Sequence, residues 1–177
     1  MLHFVIGTKA QFIKLAPLMY QLQSLEVKYH LLDLSQHGSI TPEIIHTFKL
    51  KPIHSYFGNN KSRTVSSYSA AIKWALSSIL EIIKGKSYLQ NKYFQNDNSG
   101  YIIIHGDTLS TLLGLAIAKK TKINTALVEA GLTSHSLINP FPEELIRRIS
   151  EKYSDILYCP GDKYAEHLKC KSLRGKI

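Results

Sequence analysis

The residues best able to do chemistry lie where apolar runs stop. "YIIIHGDTLS" (101–110) runs straight into His105, Gly106, Asp107 and Thr108, and "TALVEAG" (125–131) ends in Glu129 before Ala130 and Gly131. A histidine and carboxylates are the side chains that most often carry protons in catalysis. Each also has a plainer reading. Asp107 and Thr108 both suit the N-cap of a helix opening near Leu109, and capping accounts for them as well as chemistry does. His105 could be a satisfied histidine at a strand end. Glu129 resists such a reading: it gains no cap, and an unpaired carboxylate is costly to bury, so a functional role is favoured.

Two further run ends carry polar residues, Gly7-Thr8-Lys9 and Ser35-Gln36-His37-Gly38. "NPFPEELIRRI" (139–149) opens a helix in the expected way, with Pro142 at its first position and Glu143 and Glu144 in its first turn. Arg147 and Arg148 follow four residues on, where ion pairs with those glutamates are natural, so the whole segment could be structural. Gly7-Thr8-Lys9 is not a Walker loop and no G-x-G-x-x-G follows the first strand, so dinucleotide cofactors and P-loop chemistry find no support. Cys159 and Cys170 lack metal-ligand spacing and read as free thiols.

These positions need elements to hold them. Apolar runs predict strands at 2–6, 27–34, 52–56, 101–105, 124–128 and 155–158. Helical spacing predicts helices over 8–23, interrupted by Pro17, and over 42–48, 64–84, 109–119, 142–152 and from 162 onward. In the segment 64–84, Ile72, Leu76, Ile79 and Ile83 share one face, taken as the core face, with Trp74 packed at its edge. The polar, Asn-rich stretch 85–100 reads as a long surface loop. Apolar strands alternating with helices define a doubly wound α/β domain with a parallel sheet. In such a sheet ligands bind outside the carboxyl ends of the strands, and all the unusual residues above fall on that edge.

The chain has 177 residues, 44% of them hydrophobic and 20% charged, as expected of one globular domain with a proper core. Its 22 basic residues exceed 13 acidic ones for a formal charge of +9. Such an excess invites nucleic acid or a phosphorylated ligand. The lysines are scattered singly, without an arginine stripe or interleaved aromatics, so no nucleic-acid partner is expected. No apolar run reaches membrane-spanning length and the start lacks a signal-peptide pattern, so no membrane span and a cytoplasmic location are expected.

Four stretches together resemble the N-terminal domain of the UDP-N-acetylglucosamine 2-epimerases: "GTKAQFIKLAPLM" (7–19), "HGDTLSTLLG" (105–114), "VEAGL" (128–132) and "NPFPEELIRR" (139–148). The last three are specific and the first is a variant. The family has arginine and glutamate where this chain has Lys9 and Gln11, and arginine at Thr133; Lys14 is kept. Lysine cannot reproduce the bidentate fork of arginine on a phosphate. The resemblance implies one half of the two-domain GT-B fold, residues 1–177 being the N-terminal Rossmann-like domain. The UDP-gripping C-terminal domain would lie beyond it, the chain being a fragment or half of a split protein.

The family's reaction, as the resemblance implies it, inverts C2 of a UDP-sugar by eliminating UDP across C1–C2 and adding it back. Carried over by position, the catalytic carboxylates are Asp107, Glu129 and Glu143. Substrate contacts fall to Lys9, Lys14, Gln36, His37, His105, Thr108 and Arg147. No metal and no nicotinamide cofactor are implied. The expected partners are a UDP-sugar substrate, the C-terminal domain or a partner chain, and a second copy in a homodimer, with no activity from this chain alone. A non-catalytic GT-B half or glycosyltransferase subunit is the alternative.

Overall fold

The computed structural model describes the chain except residues 37–39, 59–64, 66, 98, 135, 137–138, 171–172 and 174, and the side chains of 40, 53 and 68. Among the described residues six strands form one sheet: β1 (Leu2–Ile6), β2 (Tyr29–Asp33), β3 (Ile53–Tyr56), β4 (Tyr101–His105), β5 (Asn124–Val128) and β6 (Ile156–Tyr158). Every pairing is parallel and the order is β3-β2-β1-β4-β5-β6, the doubly wound arrangement the sequence predicts. Seven helices connect or follow the strands: α1 (Lys9–Ser24), α2 (Ile40–Thr47), α3 (Tyr68–Ile83), α4 (Lys86–Tyr93), α5 (Leu109–Thr121), α6 (Glu143–Tyr153) and α7 (Asp162–Lys169).

The strands read as unbroken apolar runs because both sheet faces are buried. Phe4, Ile6, Leu31 and Ile103 turn to one core with Phe12, Leu15 and Met19 of α1, while Val5, Leu32, Ile102 and Ile104 turn to the other with Leu113, Leu115 and Ile117 of α5. α1 is continuous on both sides of Pro17. Not all of the apolar surface is covered: a groove of about 360 Å³ beside Leu18 is lined by Tyr101, Ile103, Val128, Ile156 and Tyr158.

Two expectations are corrected. The stretch 85–100 is not all loop, because α4 occupies Lys86–Tyr93 and buries Leu89, Gln90 and Tyr93. Leu89 and Tyr93 join the core, and a carboxylate adds to their hold: Glu81 of α3 accepts from Tyr88, Lys92 and Tyr93 at 2.5–2.9 Å, and from Lys84 at 2.6 Å. The face of α3 is also inverted. Trp74, Ser78 and Glu81 form the buried stripe, Trp74 donating its indole N–H to the Leu34 carbonyl at 2.7 Å. Ile72, Leu76, Ile79 and Ile83 point outward with Leu80; Leu80 and Ile83 are each 65% exposed. The buried polar groups are tolerated because each finds a partner, which leaves the apolar stripe facing away from this domain.

Candidate active site

Strand order reverses between β1 and β4, so the crevice at their carboxyl ends is the topological switch point. The turns leaving these strands touch. A Cβ on Gly7 would lie 2.4 Å from the Ser110 Cβ, so only glycine lets α1 and α5 start this close together. Gln11 stitches the two turns. Its Oε1 accepts from the N–H groups of Gly7 and Thr8 at 3.1 and 3.2 Å and from the Ser110 hydroxyl at 2.8 Å. Its Nε2 donates to the His105 carbonyl at 2.7 Å and reaches Thr108 Oγ1 and Thr111 Oγ1 at 3.0 and 3.1 Å. By sequence Gln11 is only a lost ionic position; in the structure it is the hub that joins the two turns.

Thr108 is the N-cap residue of α5 and its hydroxyl is spent on Gln11 and Ser110. That settles the capping question for its neighbour: Asp107 does not cap, and its carboxylate instead receives Arg147. Arg147 is also held by Glu144 at 2.6 Å. Glu144, 1% exposed, takes Arg148 Nε at 3.0 Å, the Thr133 hydroxyl at 2.9 Å and the Ser134 N–H at 3.1 Å. Burial raises its pKa, but those donors prevail and hold it down at about 2. Glu151, one helical heptad further on, accepts from the Gly131 N–H at 2.8 Å. Gly131 has φ +90°, and a Cβ there would collide with the Tyr164 backbone at 2.8 Å. Two buried glutamates of α6 thus fasten the loop that follows Glu129, a role the sequence signalled only as acidic residues seven apart on one helix.

Glu129 sits at φ +70°, in the left-handed region that a glutamate seldom adopts. Lys14 straddles its carboxylate at 2.9 and 2.8 Å, and His105 Nε2 lies 3.2 Å from Oε2. Burial pushes the His105 pKa below its ordinary value, with Glu129 pulling the other way. Glu143, half-buried at the start of α6, has an Oε2 that is shut from solvent and unpartnered among the described residues. The expected pairing of both glutamates with the two arginines is therefore corrected: Glu144 takes both and Glu143 neither.

Lys9 is exposed on the first turn of α1, and Gln36 lies over Gly7 with its Oε1 buried and unpartnered among the described residues. His37 lies outside the described residues. A pocket of about 450 Å³ opens beside Arg147, lined also by Gly131, Thr133, Ser134, Lys163 and Tyr164. The structure thus brings Asp107, Glu129, Lys14, Arg147 and His105 to the carboxyl edge of β4 and β5, with Glu143 four residues before Arg147 on α6. It spends Thr108 on the scaffold.

A Rossmann-like domain of this topology is one half of the GT-B architecture, and relatives place it more closely. The sequence profile described as UDP-N-acetylglucosamine 2-epimerase matches residues 26–174, and the chain belongs to that family. The Campylobacter jejuni UDP-N-acetylglucosamine 2-epimerase is 30% identical over 165 residues, covering 93% of this chain and 39% of the relative. The Bacillus subtilis enzyme is 26% identical over 165 residues, with 93% and 40% covered. The crystal structure of the Neisseria meningitidis UDP-GlcNAc 2-epimerase bound to UDP-GlcNAc superposes with a TM-score of 0.76 at 22% identity, over 97% of this chain and 44% of that one. The Methanocaldococcus jannaschii enzyme in complex with UDP-GlcNAc and UDP gives 0.72 at 24% identity, over 95% and 42%. The chain spans about two fifths of the length of these relatives.

Proposed function

We propose that this chain is the carboxylate-bearing N-terminal half of a UDP-N-acetylglucosamine 2-epimerase, interconverting UDP-GlcNAc and UDP-ManNAc. The observation that supports the reading is the pairing of Asp107 with Arg147 and of Glu129 with Lys14 and His105 at adjacent strand ends, with Glu143 one turn before Arg147 on α6 and one of its oxygens unpartnered among the described residues. C2 of the sugar is not adjacent to a carbonyl, so its proton is not acidic. Elimination solves this: a carboxylate takes the C2 proton, the C–H electrons form the C1=C2 bond, and the C1–O bond breaks as UDP leaves with its electron pair. Re-addition of UDP to C1, with a proton delivered to the other face of C2, completes the inversion. The balance calls for proton carriers on both faces and cations for the leaving diphosphate, and no net oxidation.

In this reading the three carboxylates carry the protons, and Lys9, Lys14 and Arg147 lie nearest the phosphates. Lys14 and Arg147 are already neutralised by Glu129 and Asp107, which supports a division of labour in which a second domain grips most of the UDP. The groove beside Leu18 and the outward face of α3 are apolar surfaces suited to that domain and to a second copy of the chain. A binding half without catalysis is the second reading, favoured by the replacement of two cationic family positions by Lys9 and Thr133. Among the described residues no helix is long and apolar enough to cross a membrane; we place the protein in the cytoplasm as part of this proposal.

The test is NMR observation of UDP-GlcNAc in D2O with this chain alone and with the chain extended to the length of its relatives. Epimerisation with deuterium at C2 in the extended form alone is the expected result. A folded extended protein that exchanges nothing overturns the epimerase reading and leaves the binding one.

A further inference from the structure

His105 ends β4 with its ring turned toward Glu129. The residue is 5% exposed, and Nε2 lies 3.2 Å from Glu129 Oε2. A histidine that contacts a sugar or a phosphate presents a ring nitrogen to the cleft; this one presents Nε2 to a neighbouring carboxylate.

The tautomer follows from the surroundings. The ring's competing acceptor is its own carbonyl, which already accepts from Gln11 Nε2 and from the Thr111 hydroxyl, each at 2.7 Å. A ring N–H directed there would share a carbonyl that has two donors, whereas Glu129 Oε2 offers a charged acceptor. Burial favours a neutral ring, and a neutral ring has one proton to place. At Nε2 that proton meets a carboxylate oxygen; at Nδ1 it would leave two lone pairs facing each other across 3.2 Å.

Glu129 needs such holding. Its left-handed backbone costs about 1 kcal/mol or more and persists only where the surroundings over-determine it. Lys14 reaches it from α1 with a side chain that is 53% exposed, a flexible tether on its own. Gly106, at φ +68°, turns the chain beside this carboxylate in a backbone conformation that glycine adopts freely.

We infer that His105 is a positioning residue for Glu129: a neutral imidazole whose Nε2–H, opposite the Lys14 ammonium, fixes the plane of that carboxylate. This rests on the epimerase reading for its consequence in turnover, but the contact itself does not. It moves His105 out of the group of substrate ligands to which resemblance assigned it.

The first readout is long-range 15N–1H correlation on the 177-residue chain, which reports the tautomer and the titration of each histidine. The charged groups facing this ring are Glu129, Lys14 and Asp107. At pH 7 His105 carries its proton on Nε2. Glu129→Gln moves its titration to lower pH and Lys14→Met moves it to higher pH, opposite shifts that general loosening does not produce. A proton on Nδ1, or a titration indifferent to either change, overturns the inference. Lys14→Met alone suffices where Glu129→Gln does not fold.

The second readout uses the chain extended to its relatives' length. His105→Phe keeps the ring volume without the N–H and lowers kcat for UDP-GlcNAc by roughly 10- to 100-fold with KM little changed. His105→Gln, whose amide nitrogen can reach the same oxygen, recovers most of that loss; an equal loss in both variants overturns the inference. Should the unmodified extended protein turn over nothing, the epimerase reading falls while the tautomer and titration still decide the contact.

Discussion

Glu143 and Glu144, adjacent in the first turn of α6, have opposite circumstances. Glu144 is buried under donors from four residues, whereas Glu143 keeps an oxygen with no partner among the described residues. One is scaffold, and it is the means by which Arg147 reaches Asp107; the other is available for chemistry.

Separating them by mutation follows directly. Glu144→Ala strips Arg147 and the 133–134 turn of their acceptor and lowers stability by roughly 3 kcal/mol, as loss of one partner from a buried ion pair does. Glu143→Gln changes stability by less than about 0.5 kcal/mol, as for a residue outside any network. Urea unfolding of the chain followed by circular dichroism gives both values, and comparable losses in the two would show that the roles are shared.

Gln11 uses both ends of its amide, so its chemistry is directional. Gln11→Ala costs roughly 2–3 kcal/mol by leaving buried donors and acceptors of two turns unmet. Gln11→Glu sets an oxygen against the His105 carbonyl, which is tolerable only if the new carboxyl is protonated. Relative to the unmodified chain at the same pH, that variant is weaker at pH 7 than at pH 5. Denaturation at the two pH values reads this out, and a deficit independent of pH would show that the turns simply rearrange.

Acid sensitivity has a separate source in the sheet. His3 of β1 and His30 of β2 are cross-strand neighbours with Nδ1 atoms 3.3 Å apart, packed against Phe94. Burial drives both pKa values down to about 4, with mutual repulsion adding to it at His30 and Asp97 opposing it at His3. Unfolded histidines take up protons near 6.5. Between these values the unfolded chain binds more protons, so stability is full above about pH 6.5 and falls as pH drops towards 4, by on the order of 3 kcal/mol for the coupled pair. His3→Leu with His30→Leu should flatten that slope; an unchanged slope would assign the acid loss elsewhere.

The outward stripe of α3 makes a prediction about assembly. If Ile72, Leu76, Leu80 and Ile83 meet a second copy, the chain sediments as a dimer and Leu76→Glu with Leu80→Glu yields a folded monomer. Sedimentation equilibrium decides this, and a monomer before any substitution would reserve the stripe for another partner.

Sequence alone carried the sheet well, because a parallel strand buried on both faces must be apolar throughout and leaves an unmistakable run. It failed where polar side chains do the burying. α4 hides Leu89 and Tyr93 among lysines and asparagines, and a carboxylate on another helix helps to dock it. On α3 the helical period showed that the apolar residues share a side but not which way that side faces. The site was legible as a set of strand ends. Asp107 and Glu129 stood out by position, yet spacing could not say that Glu144 rather than Glu143 would take the arginines, since both are within one helical turn of Arg147. Sequence shows Gln11 as an altered family position but not as a stitch, because its partners beyond Gly7 and Thr8 lie 94 to 100 residues away.

That distance bears on how the domain is made. The stitch through Gln11 closes only after β4 has settled beside β1, a pairing that must bring together ends roughly 100 residues apart and so comes slowly. Until then the β1 turn has no Thr108 or Ser110 to hold it, and Lys14 has no Glu129. A nascent chain released before β5 could form its first three strands and still have no crevice. The site is complete only when β4 and β5 stand beside β1, and its polar lattice marks that the two halves of the sheet have met.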